Sequence, residues 1–143
     1  MKLRLVLAAA ALVALPIAAQ AQKQVVTVPG GRGSAMLSAG VKIGDLLYLS
    51  GQLPARGADS TIEGQTKSAL ENMNPILAAA GTSKENIVKC TVYLIDVKDF
   101  QGMNKAYTEF FTKEPPARTT VVVAALVTPG AKLEVECIAA LPK

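Results

Sequence analysis

The sequence predicts an α+β fold with the element order β-β-α-β-α-β-β, in which two helices cover one face of a mixed sheet. Three observations support this prediction. Short apolar segments bounded by glycine or proline indicate strands, two longer segments repeat apolar residues at helical spacing, and each helical segment lies between strands. At 143 residues, the chain suits one domain with a substantial core.

Residues 1–21 have the three-part pattern of a secretory signal peptide. Lys2 and Arg4 precede an uncharged apolar run of 15 residues, and an Ala-Gln-Ala sequence ends the segment at Ala21. The run contains Pro16 and is short for a membrane-spanning helix, which needs about 20 residues. We therefore predict cleavage after Ala21, no retained membrane anchor, and a periplasmic or secreted mature protein.

Composition excludes several kinds of site. The chain contains no His and only two Cys, which excludes a Ser-His-Asp triad, a Cys-His pair, a His-ligated metal and a structural zinc cluster. The mature chain has 13 Lys and Arg against 11 Asp and Glu, without a basic cluster, so we expect no nucleic-acid binding. Cys90 and Cys137 both fall in predicted strands, and we expect them to be free, buried thiols rather than a disulfide.

The first elements follow a flexible segment predicted at 22–40. Its glycine-rich stretch lacks the Gly-Lys-Ser/Thr ending of a phosphate loop. A β-hairpin is predicted over 41–53, with its turn at Gly44-Asp45. The first helix is predicted within 61–81 and ends at Gly81, and we expect Pro75 to kink it or weaken one turn.

The second half of the chain repeats the alternation of strand and helix. Residues 87–97 are rich in β-branched side chains, which favours a strand. Asp99 is expected to cap the second helix. That helix has an apolar face made of Phe100, Met103, Tyr107, Phe110 and Phe111. Two further strands are predicted at 118–127 and 132–141, on either side of a Thr-Pro-Gly turn.

The predicted order leaves the second face of the sheet uncovered. We assign Val121, Val123 and Val135 to that face. An uncovered apolar sheet face in a small domain indicates self-association, so we expect a homo-oligomer.

Arginine and carboxylates are the main candidates for chemistry. Arg118 follows a Pro-Pro-Ala sequence at the start of a strand, where its guanidinium can hold a carboxylate with two hydrogen bonds or form an ordinary salt bridge. Glu134 and Glu136 leave one face of one strand, either as an acid/base pair or as a solvated polar face. Spacing leaves both alternatives open. Ser50-Gly51 either admits a ligand closely or simply ends a strand.

Five segments resemble, in order and spacing, the RidA/YjgF family of reactive intermediate deaminases, also described as the endoribonuclease L-PSP domain. They are GDLLYLSGQLP at 44–54, NIVKCTVY at 86–93, MNKAYTEFF at 103–111, PARTTV at 116–121 and KLEVE at 132–136. The resemblance extends from about residue 41 to residue 141. It implies a RidA-like domain at 41–143 with a chorismate-mutase-like protomer, and a barrel-like homotrimer with three sites in the clefts between subunits.

The resemblance also implies hydrolysis of small 2-imino acids or enamines, such as 2-aminoacrylate or 2-iminobutanoate, to 2-keto acids and ammonia, with no metal or cofactor. Arg118 is similar to the family's carboxylate-binding arginine, and Glu134 is similar to the acidic residue that positions or activates water. Ser50 and Gly51 are similar to pocket-lining residues, and Asn104 to a supporting residue on the second helix. The expected partners are this small 2-imino or 2-keto acid and further copies of the chain.

Leu37 departs from the family pattern. The deaminase subgroup has a Tyr at this substrate-binding position, within a Gly-Pro-Tyr run that is replaced here by Ala35-Met36-Leu37. A hydroxyl that would bind substrate or water is therefore missing. The signal peptide is a second departure, because family deaminases mostly act beside cytosolic pyridoxal-phosphate enzymes.

Two other functions stay open from the sequence. The first is a trimeric small-carboxylate-binding or holdase-like protein without turnover. The second, ribonuclease activity, rests mainly on the family's name, and the chain has neither a histidine nor a basic groove to support it.

Overall fold

The computed structural model describes residues 22–31 and 34–142, so the predicted signal peptide lies outside the described residues. The strands are β1 (Gln24–Val26), β2 (Gly40–Ile43), β3 (Leu46–Leu49), β4 (Ile87–Leu94), β5 (Ala117–Val122) and β6 (Leu133–Ala140). The helices are α1 (Ile62–Glu71), α2 (Asn74–Ala80) and α3 (Phe100–Phe110). Helices packed on a mixed sheet confirm the α+β class. Within the described ranges, no helix is long and apolar enough to cross a membrane.

The strands form one sheet in the order β1-β2-β3-β6-β4-β5. All neighbours are antiparallel except β4 and β5, which are parallel and are joined through α3. Strand β1 was not predicted. It pairs with β2 through Gln24, Val25 and Val26, so part of the segment at 22–40 belongs to the sheet.

The hairpin prediction is confirmed. Strands β2 and β3 pair across the turn at Gly44-Asp45, where Gly44 adopts a φ of +55°. Glycine adopts this left-handed conformation without the steric cost that a Cβ brings.

The first predicted helix is two helices. Thr61 caps α1 by accepting a hydrogen bond from the Gly64 amide, and α1 ends at Glu71. Pro75 lies in the first turn of α2, where its missing N–H has no helical partner to lose. The expected kink within one helix is therefore wrong, because the proline begins a second one. Gly81 ends α2 with a φ of +83°, as predicted.

Asp99 precedes α3 but does not cap it with its side chain. Its carboxylate instead forms an ion pair with Lys132 Nζ at 3.3 Å. The nearby capping role belongs to Asp96, which accepts a hydrogen bond from the Lys98 amide at 2.9 Å and begins a short 3-10 turn at Val97–Asp99. The predicted strand over 87–97 consequently ends at Leu94.

The core lies between the helices and one face of the sheet. Alternate residues of β4 and β6 point into it, because successive strand side chains leave opposite faces. The fully buried large side chains are Leu47, Leu70, Met73, Leu77, Val92, Leu94, Met103, Leu133 and Val135.

Cys90 and Cys137 form a disulfide, so the prediction of free thiols is wrong. The two residues are direct partners on the antiparallel strands β4 and β6, with their Cα atoms 4.1 Å apart. Free thiols were expected because paired thiols within strands seldom meet the geometry of a bridge. Directly opposed residues on adjacent strands come close enough to form one, and this register was not visible in the sequence.

No helix of the described residues packs on the opposite face of the sheet, and we call it the open face. Val121 of β5 lies on it and is 40% exposed, and Tyr48 of β3 lies on the same face, separated from β5 by two strands, and is 44% exposed. Assigning Val135 to this face is wrong, since Val135 is fully buried under the helices. Glu134 and Glu136 flank Val135 on β6, so the alternation that places both carboxylates on the open face sends Val135 into the core.

Candidate active site

Arg118 lies at the centre of a cluster on the helix-covered side of β5. Its Nη2 donates a hydrogen bond to Asn104 Oδ1 at 2.7 Å, and its Nη1 lies 3.8 Å from Met103 Sδ. Its Cζ lies 4.6 Å from the centre of the Tyr107 ring. We call Arg118, Met103, Asn104 and Tyr107 the arginine cluster.

The arginine cluster follows from the way that α3 packs beside the parallel pair β4–β5. Met103 and Tyr107 are one helical turn apart and are almost fully buried, which directs this face of α3 toward the sheet. Burial raises the pKa of the Tyr107 phenol to about 12, although the nearby Arg118 guanidinium acts in the opposite direction. Tyr107 is therefore neutral at physiological pH.

No acidic side chain among the described residues pairs with Arg118. Arg118 therefore forms no salt bridge within that part of the protomer. A half-buried guanidinium with free N–H groups is suited to binding a carboxylate from outside the protomer.

Ser50, Gly51 and Glu134 form a second group, which we call the carboxylate cluster. Gln52 pairs with Val135 through N–H to carbonyl hydrogen bonds of 2.7 and 3.0 Å, which holds the segment after β3 against β6. Gly51 lies so close to Glu134 that a Cβ at position 51 would overlap the carboxylate Oε1. Glycine at this position therefore leaves space for the Glu134 carboxylate.

Ser50 uses its hydroxyl within the protomer. Its Oγ donates to the Ser38 carbonyl at 2.6 Å, and its amide donates to the Ala39 carbonyl at 3.0 Å. These bonds bring the segment that contains Leu37 toward the end of β3. Ser50 thus has a structural role in this arrangement.

The two glutamates of β6 have different surroundings. Glu136 Oε1 accepts a hydrogen bond from the Tyr93 hydroxyl at 2.9 Å. That bond is the main reason why the pKa of Tyr93 is raised. Glu134 has no hydrogen-bond partner within the described ranges. Glu134 is thus the carboxylate available to act on water or substrate, whereas Glu136 is bound to Tyr93.

The arginine and carboxylate clusters lie on opposite faces of the sheet. Cys90 is the direct partner of both Arg118 on β5 and Cys137 on β6, so these three side chains share the helix-covered face. Glu134 is three residues from Cys137 along β6, and an odd separation places it on the open face. One protomer therefore does not bring Arg118 and Glu134 into one cleft.

Leu37 is 59% exposed and lines an apolar hollow. Val25, Val28 and Ala39 also line this hollow, and Ser38, which accepts the bond from Ser50, completes its wall. The hollow is separate from the arginine cluster. Among the described residues that line it, the polar side chains are the small hydroxyl residues Thr27, Ser34 and Ser38.

The structure thus places five of the six predicted site residues in two groups. Asn104 lies with Arg118, Ser50 and Gly51 lie with Glu134, and Leu37 lies apart in the apolar hollow. Sequence reasoning missed Met103 and Tyr107 as contacts of Arg118, although it placed both on the apolar face of the helix. Across the described ranges, no group of three acidic or cysteine side chains is arranged to hold a metal ion.

Comparison with known proteins agrees with this fold and its residues. The family model described as "Endoribonuclease L-PSP" matches residues 32–141. The chain belongs to this family, the RidA/YjgF family. The match includes every residue of the arginine and carboxylate clusters.

Individual members of the RidA/YjgF family are similar over most of the chain. The RutC family protein SSO3206 of Saccharolobus solfataricus is 45% identical over 62% of this chain and 75% of its own length. The chloroplastic Reactive Intermediate Deaminase A of Arabidopsis thaliana is 41% identical over 73% of this chain and 58% of its own length. A solved Rid-family structure, YyfA of Yersinia pestis, is 33% identical with a TM-score of 0.77, covering 84% of this chain and all of its own.

Proposed function

We propose that this protein hydrolyses small 2-imino acids, and the enamines in equilibrium with them, to 2-keto acids and ammonia. Membership of the RidA/YjgF family and similarity to a relative named as a reactive intermediate deaminase support imine deamination in general. The observation that carries the proposal is Arg118, a restrained guanidinium without an acidic partner in the described protomer. It provides a binding group for the carboxylate that every 2-imino acid carries.

The reaction needs few groups. An enamine first takes a proton at carbon and becomes the iminium, whose imine carbon is electrophilic. Water then adds to that carbon, a C–O bond forms, and one proton of the water passes to Glu134. Glu134 returns this proton to the nitrogen, and the C–N bond breaks as the new hydroxyl gives its own proton to Glu134, which leaves the keto C=O and ammonia. Arg118 holds the substrate carboxylate and fixes the carbon relative to the water. Neither step requires histidine.

The proposed site joins two copies of the chain. Arg118 and Glu134 lie on opposite faces of one protomer, so a cleft that contains both needs the arginine cluster of one copy and the carboxylate cluster of another. Such a contact between different patches is heterologous, and it closes into a ring when the rotation between copies permits. We propose a homotrimer with three such clefts.

We further propose that the protein acts in the periplasm or outside the cell. The pattern of residues 1–21 supports export, and a Cys90–Cys137 disulfide suits an oxidising compartment. Fractionation of cells expressing the full chain, with N-terminal sequencing of the product, tests this. Mature protein starting at residue 22 in the periplasm or medium supports export, and uncleaved protein in the cytoplasm contradicts it.

Binding without turnover is the second candidate function. Leu37 favours it, because this exposed apolar residue contributes no hydroxyl to the end of the segment that Ser50 holds. In that case, Arg118 would bind small carboxylates and release them unchanged. Leu37→Tyr separates the two candidates, since a gain of deaminase activity by an otherwise inactive protein supports binding as the native role.

The decisive assay follows release of the keto acid from imines that an amino-acid oxidase generates, with purified mature protein. We expect acceleration by the native protein and none by Arg118→Ala. Arg118→Lys keeps the charge but loses the planar pair of donors, and we expect it to retain only a small part of the activity. Absence of acceleration by the native protein across several amino acids overturns the proposal. Calorimetry with 2-oxobutanoate, pyruvate and benzoate then tests binding alone.

A further inference from the structure

Three groups surround the Arg118 guanidinium, and each acts on a different part of it. Asn104 accepts one hydrogen bond at 2.7 Å, Met103 Sδ lies 3.8 Å from the other terminal nitrogen, and the Tyr107 ring lies 4.6 Å below Cζ. A ring at this distance attracts a cation through the negative potential of its face. The first two contacts are made by the terminal nitrogens, whereas the ring lies against the central carbon.

The Tyr107 ring is itself held in place. Tyr107 is 4% exposed, and its ring centre lies 4.7 Å from that of Phe111. Phe110 packs edge-on against Phe111 with ring centres 4.9 Å apart, and Lys84 Nζ lies 4.7 Å from the Phe110 ring. A row of three aromatic rings on and beside α3 therefore ends at Arg118, and the ring that contacts the guanidinium is buried and packed against a second ring.

The hydroxyl of Tyr107 does not explain the presence of this side chain. It is buried and has no hydrogen-bond partner among the described residues. A buried polar group without a partner destabilises the fold. The hydroxyl is therefore unfavourable at this position and is not the reason for a tyrosine there. The ring is the part of the side chain that contacts Arg118.

We propose that Tyr107 is a positioning residue, whose ring holds the Arg118 guanidinium in the orientation that binds the substrate carboxylate. The inference rests on the proposed function for the identity of that ligand. The restraint on Arg118 is a property of the protein without ligand. The remaining N–H groups of Arg118 are then oriented before the carboxylate arrives, and less side-chain entropy is lost on binding.

The first test replaces the ring by an aliphatic side chain in the full mature chain. In Tyr107→Leu, we expect the dissociation constant for 2-oxobutanoate and the KM for imine to rise by about 2- to 30-fold, as loss of one cation–π contact predicts. We expect kcat to change less than KM. The order parameter of the Arg118 Nε–H bond, measured by 15N relaxation without ligand, should fall. Phe100→Leu is the matched control, since it removes a ring from the same helix that lies outside this row of rings.

A second series retains the shape of the ring and changes only its charge distribution. Tyr107→Phe is the reference, and the same phenylalanine carrying two and then three fluorine atoms weakens the negative face stepwise. We expect the dissociation constant to rise and the order parameter to fall along the series. This series keeps the core filled if Tyr107→Leu does not fold.

The results separate this inference from the proposed function. An unchanged Arg118 order parameter in Tyr107→Leu and along the fluorine series overturns the positioning role. So does a full loss of order already in Tyr107→Phe, because the hydroxyl would then be responsible. A protein that hydrolyses no imine but shows the graded loss of order at Arg118 retains the positioning role and loses the proposed function.

Discussion

The arginine and carboxylate clusters differ in how their functional side chains are held. Arg118 is fixed by side chains, through Asn104, Met103 and the Tyr107 ring. Glu134 lies opposite Tyr93 of β4 but makes no side-chain hydrogen bond or ion pair within the described ranges, and the backbone pairing of Gln52 with Val135 fixes its surroundings. A charged group that binds a ligand benefits from restraint before binding, whereas a carboxylate that exchanges a proton with water needs space.

The disulfide lies between these two clusters. Cys90 is the direct β4 partner of Arg118, and Cys137 is on β6 three residues from Glu134. The bond therefore fixes the register between β6, which carries Glu134, and β4, which pairs with the strand that carries Arg118. The predictions below test the difference between the clusters, beginning with the largest effect.

The largest effect should come from the free carboxylate. We expect Glu134→Gln to lower kcat by about 100- to 10,000-fold, the usual contribution of general acid–base catalysis. Glu136→Gln is the matched control on the same strand and face, and its bond to Tyr93 predicts a much smaller change. Steady-state kinetics with oxidase-generated imines measures both. Equal losses in the two variants contradict the assignment of Glu134.

Removing the disulfide should have the second-largest effect, which is a loss of stability. We expect Cys90→Ala with Cys137→Ala to lower the free energy of unfolding by about 2 to 4 kcal/mol, since the bond closes a long loop of the unfolded chain. Urea denaturation of the native and double-variant proteins measures this, and reduction of the native protein before unfolding is the control. Stability that is unchanged by either treatment contradicts the bond.

Gly51→Ala tests whether Glu134 acts on turnover while Arg118 acts on ligand binding. The added Cβ would overlap Glu134 Oε1, and the flexible carboxylate end must shift. We expect kcat to fall by about 10-fold, since a displacement of about 1 Å is costly at a reacting centre. The dissociation constant for 2-oxobutanoate, which reports on Arg118, should change little. A rise in that constant equal to the fall in kcat would contradict the separate roles.

The smallest effect is a dependence of stability on alkaline pH. The pKa of Tyr107 is raised to about 12 in the folded chain by burial, so the unfolded chain loses this proton first as pH rises above 10. The free energy of unfolding should therefore fall between about pH 10 and pH 12. Tyr107→Phe should reduce that slope, while the part due to Tyr93, whose pKa is also raised, persists. An unchanged slope contradicts the burial of the phenol.

Local patterns in the sequence predicted most of the fold. The turn at Gly44-Asp45, the cap at Gly81 and the alternation of strand and helix all depend on neighbouring residues. The three residues of β1 are too few to show a period, and its pairing with β2 spans a separation that no local pattern reports. Pro75 was recognised as a disruption, but its role at the start of α2 depends on the break after Glu71.

The candidate residues of the site could be named from the sequence, but their arrangement could not. Absence of histidine left arginine and carboxylates as candidates, and the resemblance to the RidA/YjgF family singled out Arg118 and Glu134. Their separation across the sheet depends on the register of β4 with β5 and β6, as does the disulfide. The contact of Tyr107 with Arg118 is also long-range, although its position one turn after Met103 on a buried helix face was a usable signal.

The central claim, that each active site joins the arginine cluster of one copy to the carboxylate cluster of another, is tested most directly by mixing two inactive proteins. Arg118→Ala and Glu134→Gln are unfolded together and refolded at equal concentrations, beside each variant refolded alone. If sites lie between copies in a closed ring, random assembly gives about a quarter of the sites two intact halves, and that share of activity should return. If the mixture is no more active than the separate variants, the site does not combine two copies and the account is wrong.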